Sequence, residues 1–177
     1  VNWDTNLETA ISDLEVEQRE VQSNLYFIKY NLVENNEHIT IATTRPETMI
    51  GDTAVAVNPN DIRYKKFIGK KIIVPITNRE VKIISDNYVV IDQGSGALKV
   101  TPAHDFNDFD IGKRHNLKFI NIFEKNGKIN NKAPNDFIGL DRFEARRLIV
   151  LKLKEKGLLE KIVSIKNVVP YGDRSNT

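Results

Sequence analysis

LYFIKYNLVENNEHITIATT, residues 25–44, decides the fold class. Leu25 to Leu32 and Glu37 to Thr44 are rich in β-branched and aromatic residues, which suit a pleated, half-buried surface, and Glu34-Asn35-Asn36 between them has turn chemistry. The stretch predicts a β-hairpin. Outward from it come more runs of the same kind: TAVAVN near Thr53, KIIVPI near Lys71, EVKIIS near Glu80, YVVID near Tyr88, ALKV near Ala97 and LKFINIF near Leu117. Asn58-Pro59-Asn60, Thr77-Asn78, Asp86-Asn87, Gly94-Ser95-Gly96 and Asn126-Gly127 punctuate them. Short strands this close together favour a barrel or sandwich over a doubly wound parallel sheet. The predicted class is mainly β with α (α+β), a closed β-barrel core decorated by short helices.

Helices are fewer. Thr44-Arg45-Pro46-Glu47 has the form of a capping box, with Gly51 placed as a stop, and predicts a turn or two of helix. Asp105 to His115 predicts a second helix opened by a carboxylate. Asp141-x-x-Glu144 opens a third, in which Ala145, Leu148, Ile149 and Leu153 share a face before Gly157. The acidic residues 1–22 read as a connecting ribbon, residues 23–166 as the folded domain and residues 167–177 as a return linker. Both ends look like cut edges of something larger.

Composition removes several classes. The 177 residues fit one domain, and the absence of cysteine excludes a disulfide framework, a thiolate zinc site and a cysteine nucleophile. With 40% hydrophobic and 28% charged residues, neither disorder nor a coiled coil is favoured, and no stretch approaches the ~18 apolar residues of a membrane span. A cytoplasmic protein without a membrane partner is the expectation. The net charge of +2 is too small to argue for nucleic acid by itself.

The densest polar constellation is TPAHDFNDFDIG, with His104, Asp105, Asp108 and Asp110. On a helix starting at Asp105, Asp105 and Asp108 point to one side and suit an ammonium ion, a metal or an acid and base pair. The plainer alternative is that Asp105 caps the helix while Asp108 and Asp110 face water. A metal-dependent hydrolase built on His104 and Asp105 is a rival reading, but His38 and His115 suggest no partnership with it. TTRPET contributes Thr43, Thr44, Arg45 and Thr48, and the guanidinium fork of Arg45 suits a carboxylate or phosphate. Asp52-Thr53-Ala54 reads as a polar turn, and Arg63, Lys65, Lys66, Lys70 and Lys71 as a solvated basic face.

Taken together, ATTRPETMIGDTAVAVNP from Ala42 and GSGALKVTPAHDFNDFDIGKRHN from Gly94 resemble the editing domain inserted in class I valyl-, isoleucyl- and leucyl-tRNA synthetases. ALKVTPAHD and the ending VPYGDRS resemble the valyl branch, and the resemblance covers essentially the whole chain. It departs at Gln93, where valyl enzymes have an aromatic residue, and at Ser95 in place of Thr. Asp4-Thr5-Asn6-Leu7 stands where relatives often carry a Cys-x-x-Cys zinc knuckle, so neither zinc nor any other cofactor is expected.

The resemblance implies a β-barrel-centred domain that hydrolyses the ester joining threonine to the 3′-terminal ribose of tRNA(Val), by a positioned water without a covalent intermediate. It implies Asp108 for the substrate ammonium, with the roles of Asp108 and Asp105 exchangeable. Lys99, Thr101 and Asp105 fall near the threonine hydroxyl, Lys99 and Asp105 as a mutual ion pair. Thr43, Arg45 and Thr48 fall near the ribose, phosphate and scissile ester, with Thr44 beside them. His104 either orients the water or is structural. The implied partners are the 3′ end of tRNA(Val) carrying threonine and the catalytic body of the same synthetase, in a monomer. No class I HxGH or KMSKS signature is present. A tRNA-end binding module inactive in isolation is the other class of reading.

Overall fold

The computed structural model describes residues 2–173 and 175–177. Strands β1 (Asn2–Asp4) and β2 (Thr9–Ile11) form a small antiparallel pair. The predicted hairpin follows as β3 (Val16–Asn31) and β4 (His38–Thr43), with Tyr26 opposite Thr43 and Asn31 opposite His38. Side chains alternate across a strand. Tyr26, Ile28, Tyr30 and Leu32, with Ile39 and Ile41 from β4, are accordingly buried in the main core.

The second sheet has the order β6 (Lys71–Ile73), β7 (Glu80–Ser85), β5 (Ala54–Val57), β8 (Ala97–Val100). It is mixed, because β5 runs parallel to β7 and antiparallel to β8. β5 is buried on both faces. Val55 and Val57 join the main core, while Ala54 and Ala56 meet Val100 and Ile111 beneath helix α1 (Phe106–Arg114).

The last strand, β9 (Leu159–Gly172), pairs with β3 from Val16 to Ile28, with a register shift at Phe27/Ile28. β4 pairs only from Tyr26 onward, so the earlier part of β3 and its β9 partners form a two-stranded ribbon. Gln22 lies opposite Lys166 and Ser23 opposite Ile165.

The sheets correct the barrel expectation. Among the described residues there are a two-, a three- and a four-stranded sheet, and none closes on itself. A single bridge, Leu32 to Ile72, links the hairpin to β6, and Pro75 and Pro102 follow the edge strands β6 and β8 closely, where a missing N–H hinders further pairing. The sheets are joined by packed side chains rather than by a continuous ladder.

Two predicted strands are also absent. In YVVID, local turns take the amides: Tyr88 N–H donates to Asp86 Oδ1, Val89 N–H to the Asp86 carbonyl and Gln93 N–H to the Val90 carbonyl. In LKFINIF, the Ile122 amide donates to the His104 ring, and Phe123 makes only an isolated bridge to Ile129.

Helix α1 starts where predicted, with Asp105 accepting from the amides of Asn107 and Asp108. Helix α2 (Arg142–Glu155) is capped by Asp141, which accepts from Phe143 N–H. Ala145, Ile149 and Leu153 are fully buried, Leu148 packs at the margin, and Gly157 adopts φ +68° just beyond the end. The Thr44 capping box does not form. Pro46–Gly51 is a 3-10 turn in which Thr43 Oγ1 accepts from Arg45 N–H and Thr48 Oγ1 donates to the Arg45 carbonyl. Glu47 is fully buried and paired with Arg146 of α2 instead.

Ile41 has no exposed surface on the core face of the hairpin. Ile41→Ala is expected to lower the unfolding free energy by about 2–5 kcal/mol, read from the urea midpoint at constant slope.

Candidate functional site

The site is assembled around Asp52, at the end of the 3-10 turn. Its carboxylate is fully buried and meets three side chains: Tyr30 donates its hydroxyl to Oδ2 at 2.6 Å, Thr101 donates its hydroxyl to Oδ1 at 2.7 Å, and Lys99 Nζ lies 2.9 Å from Oδ1. Lys99 also donates to Thr101 Oγ1. Arg79 fixes the backbone beneath, donating to the carbonyls of Asp52 and Ile50 at 2.7 and 2.9 Å. Burial pushes the Asp52 carboxyl above its ordinary range, and the Lys99 charge is the first force opposing that. Burial and then the Asp52 charge hold the Tyr30 phenol well above its usual range.

Strand register explains why a lysine is buried here. Lys99 pairs opposite Val55 on β8, on the core face of the sheet, and only 5% of its surface is exposed. Its ammonium reaches Asp52, the carboxylate at the end of the neighbouring turn.

Thr101 couples this cluster to α1, because its backbone N–H donates to Asp108 Oδ2 at 2.9 Å. Asp108 is buried while Asp105 is exposed, with Oδ1 engaged in capping. Burial, followed by the Asp105 charge, raises the Asp108 carboxyl from 3.8 to about 6. A depression of about 480 Å³ is lined by Asp86, Tyr88 and Arg114, and its lining does not include Lys99, Thr101, Asp105 or Asp108. Tyr88 senses both carboxylates, its phenol raised first by burial and then by Asp105 and Asp108.

The TTRPET residues make the other wall. Arg45 donates from Nη1 to the His104 carbonyl at 2.8 Å, which ties Thr43, Arg45 and Thr48 to the TPAHD segment. Thr44 is half-buried at the end of β4. Gly51 is needed where the walls touch: a Cβ there would sit 3.0 Å from the Ile120 carbonyl and 3.2 Å from Thr101 Cγ2.

Thr101 therefore touches both Lys99 and Asp108, while Arg45 and His104 contact each other. The expected Lys99–Asp105 ion pair is not formed; Lys99 pairs with Asp52, because its side chain points into the core and Asp105 faces water at the start of α1. His104 accepts from Ile122 N–H at 3.0 Å through Nε2, and burial, then Arg45 and Lys99, lower its pKa to about 3, so its ring is neutral. That leaves Nε2 unavailable to a metal, and among the described residues no three His, Asp or Glu side chains converge as a metal site would require. Asp52, Tyr30, Arg79 and Glu47 are the residues that sequence reasoning missed. The signal was available only for Asp52, a carboxylate separated by Thr53 alone from the apolar run of β5.

Comparison with known proteins gives consistent matches. Residues 63–139 match the family model described as leucyl-tRNA synthetase, editing domain. The chain is 60% identical over 177 residues to the valine–tRNA ligase of Pelagibacter ubique, covering 100% of this chain and 20% of that protein. It is 53% identical over 174 residues to the valine–tRNA ligase of a Nostoc species, covering 98% and 17%. The chain thus spans about one fifth of the length of the curated relatives it matches. A similar fold occurs in the crystal structure of the ternary complex of Agrobacterium radiobacter K84 agnB2 LeuRS, tRNA and LeuAMS, with TM-score 0.62 and 19% identity over 84% of this chain and 20% of that one. No helix among the described residues is long and apolar enough to cross a membrane.

Asp52→Ala would strand a buried ammonium and a buried phenol, and is expected to destabilise the fold by about 3–5 kcal/mol in denaturant unfolding. Asp108 binds its proton more tightly when folded, so its contribution is fully present below pH 3.8 and is lost as pH rises through about 6. The stability of Asp108→Asn relative to the wild type should therefore improve between pH 4 and pH 7, measured by unfolding at each pH.

Proposed function

Since the chain belongs to the editing domains of class I tRNA synthetases, and within them to those carried by valine–tRNA ligases, we propose that it hydrolyses the ester between threonine and the 3′-terminal ribose of tRNA(Val). The chemical need is general. Threonine and valine are nearly isosteric, and an apolar synthetic pocket rejects poorly an analogue that only adds a hydroxyl, a limit for which valyl-tRNA synthetase against threonine is itself the standing example. A second, polar pocket must welcome the hydroxyl.

The observation that carries this reading is Thr101. Its amide holds Asp108, and its hydroxyl sits between Lys99 and Asp52, so one residue joins the carboxylate suited to an ammonium with the groups suited to an alcohol. In the proposed complex Asp108 receives the substrate ammonium. Asp105, whose Oδ1 is engaged in capping, offers Oδ2 to the threonine hydroxyl or to the attacking water. Lys99 supplies fixed positive charge from below, and a valine methyl group placed there would pair with none of these groups.

Thr43, Thr44, Arg45 and Thr48 receive the terminal ribose and the ester from the opposite wall. The ester is already activated, so a water held between the walls needs orientation and electrostatic support more than a nucleophile. His104, neutral and bound through Nε2 to the Ile122 amide, acts by pinning the TPAHD segment, whose carbonyl at His104 receives Arg45 from the opposite wall. Residues 1–22 and 167–177 we assign to the connection with a catalytic body, since within them Val16 to Val21 pair with Gly172 to Asn167 along the two-stranded ribbon.

The test compares deacylation of Thr-tRNA(Val) and Val-tRNA(Val) by the intact ligase and its variants. Threonine alone should be released quickly. Asp108→Ala should lower kcat/KM for Thr-tRNA by about 100-fold, the scale for stranding a buried ammonium. Lys99→Ala should narrow the ratio between the two substrates. Equal release of valine and threonine by the wild type would overturn the reading. Asp108 should be ionised for the substrate ammonium, so kcat/KM should rise as pH increases through about 6 and flatten above it.

A further inference from the structure

Glu47 collects more cations than it can satisfy. Arg146 takes both of its oxygens, Nε to Oε1 at 2.8 Å and Nη2 to Oε2 at 2.9 Å. Arg45 approaches the same carboxylate only to 3.8 Å and spends one N–H on the His104 carbonyl. Arg142, at the start of α2, has no hydrogen-bond acceptor and no ion-pair carboxylate among the described residues, although it is half-buried. Its guanidinium lies over the Phe143 ring, 4.9 Å from the centroid, and beside the turn at Gly127. Burial and then the charge of Arg45 hold its pKa below the usual range, which places two like charges close together. Among the described residues, Asp141, engaged in capping α2, and Glu47 are the carboxylates that act on it.

Two guanidinium forks with free donors, on a partly exposed surface beside the proposed ester site, call for an anion with several oxygens. Resting on the function proposed above, we infer that Arg45 and Arg142 form a phosphodiester subsite that holds a backbone phosphate of the single-stranded RNA end leading into the site. Arg45 touches the TPAHD wall on one side and the Glu47 carboxylate on the other, and α2, which Arg142 opens, packs on the turn that carries Glu47 and Thr48, so the phosphate next to a ribose held at Thr43 and Thr48 would fall between the two guanidinium groups. Arg146 is the anchor that neutralises Glu47 and leaves the other two forks available.

The test uses the intact ligase with Arg142→Ala and Arg142→Lys, and two substrates: threonyl-tRNA, and threonyl-adenosine, which has the ester but no phosphate. Arg142→Ala should raise KM for threonyl-tRNA about tenfold relative to KM for threonyl-adenosine, with kcat little affected, and Arg142→Lys should recover part of the difference. The slope of log affinity for uncharged tRNA against log salt should shrink by about 0.7 in Arg142→Ala, a readout independent of hydrolysis. An equal rise of KM on both substrates, or an unaltered slope, would overturn the subsite. Failure of the wild type to hydrolyse either ester would instead remove the hydrolytic function, and the salt slope would still decide on the phosphate contact.

Discussion

The burial of the Asp52 carboxylate is the constraint from which the rest of the site follows. An isolated carboxylate in an apolar interior is strongly unfavourable, so every lone pair needs a partner held in place. Tyr30 brings the hairpin to the carboxylate, Lys99 and Thr101 bring β8 and the segment after it, and Arg79 brings the loop beyond β6 to the backbone carbonyl of Asp52. A charge that can be buried only when four segments meet also fixes how those segments meet. The network holds Lys99 and Thr101 in one fixed arrangement, which is the form of preorganisation that the proposed selection of a hydroxyl would require.

A second buried carboxylate completes the clamp. Glu47 and Asp52 lie on the same short turn and reach in different directions, Glu47 to Arg146 on α2 and Asp52 to Lys99 on β8. Gly51 between them lies so close to Ile120 and Thr101 that a Cβ would crowd both, at 3.0 and 3.2 Å. The TTRPET segment is thus held by charge on both flanks and by close contact in the middle. A turn of this kind, without a long helix or strand of its own, can present Thr43, Arg45 and Thr48 rigidly because its neighbours restrain it.

Much of this was legible in the residues. The hairpin was readable because alternation over Tyr26–Leu32 and Ile39–Ile41 is local, and so were the starts of α1 and α2, because an aspartate two residues before an orphan amide caps it whatever the rest of the chain does. The strands at YVVID and LKFINIF were misread for the opposite reason. Their amides are claimed by Asp86, by local carbonyls and by the His104 ring, and propensity carries no information about such competitors. The capping box failed the same way, since Glu47 finds a better partner in Arg146, 99 positions along the chain.

The sequence by itself determined the family, the hairpin, the helix caps and the set of polar residues available to the site, because motif spacing and local hydrogen bonding are written along the chain. Only the tertiary structure decided that Lys99 faces Asp52 rather than Asp105, that Asp108 is buried while Asp105 is exposed, that the sheets meet by packing without closing, and that Arg142 makes no direct ion pair among the described residues. Each of those outcomes depends on which distant groups compete for one buried charge, and that competition exists only once the segments are packed together.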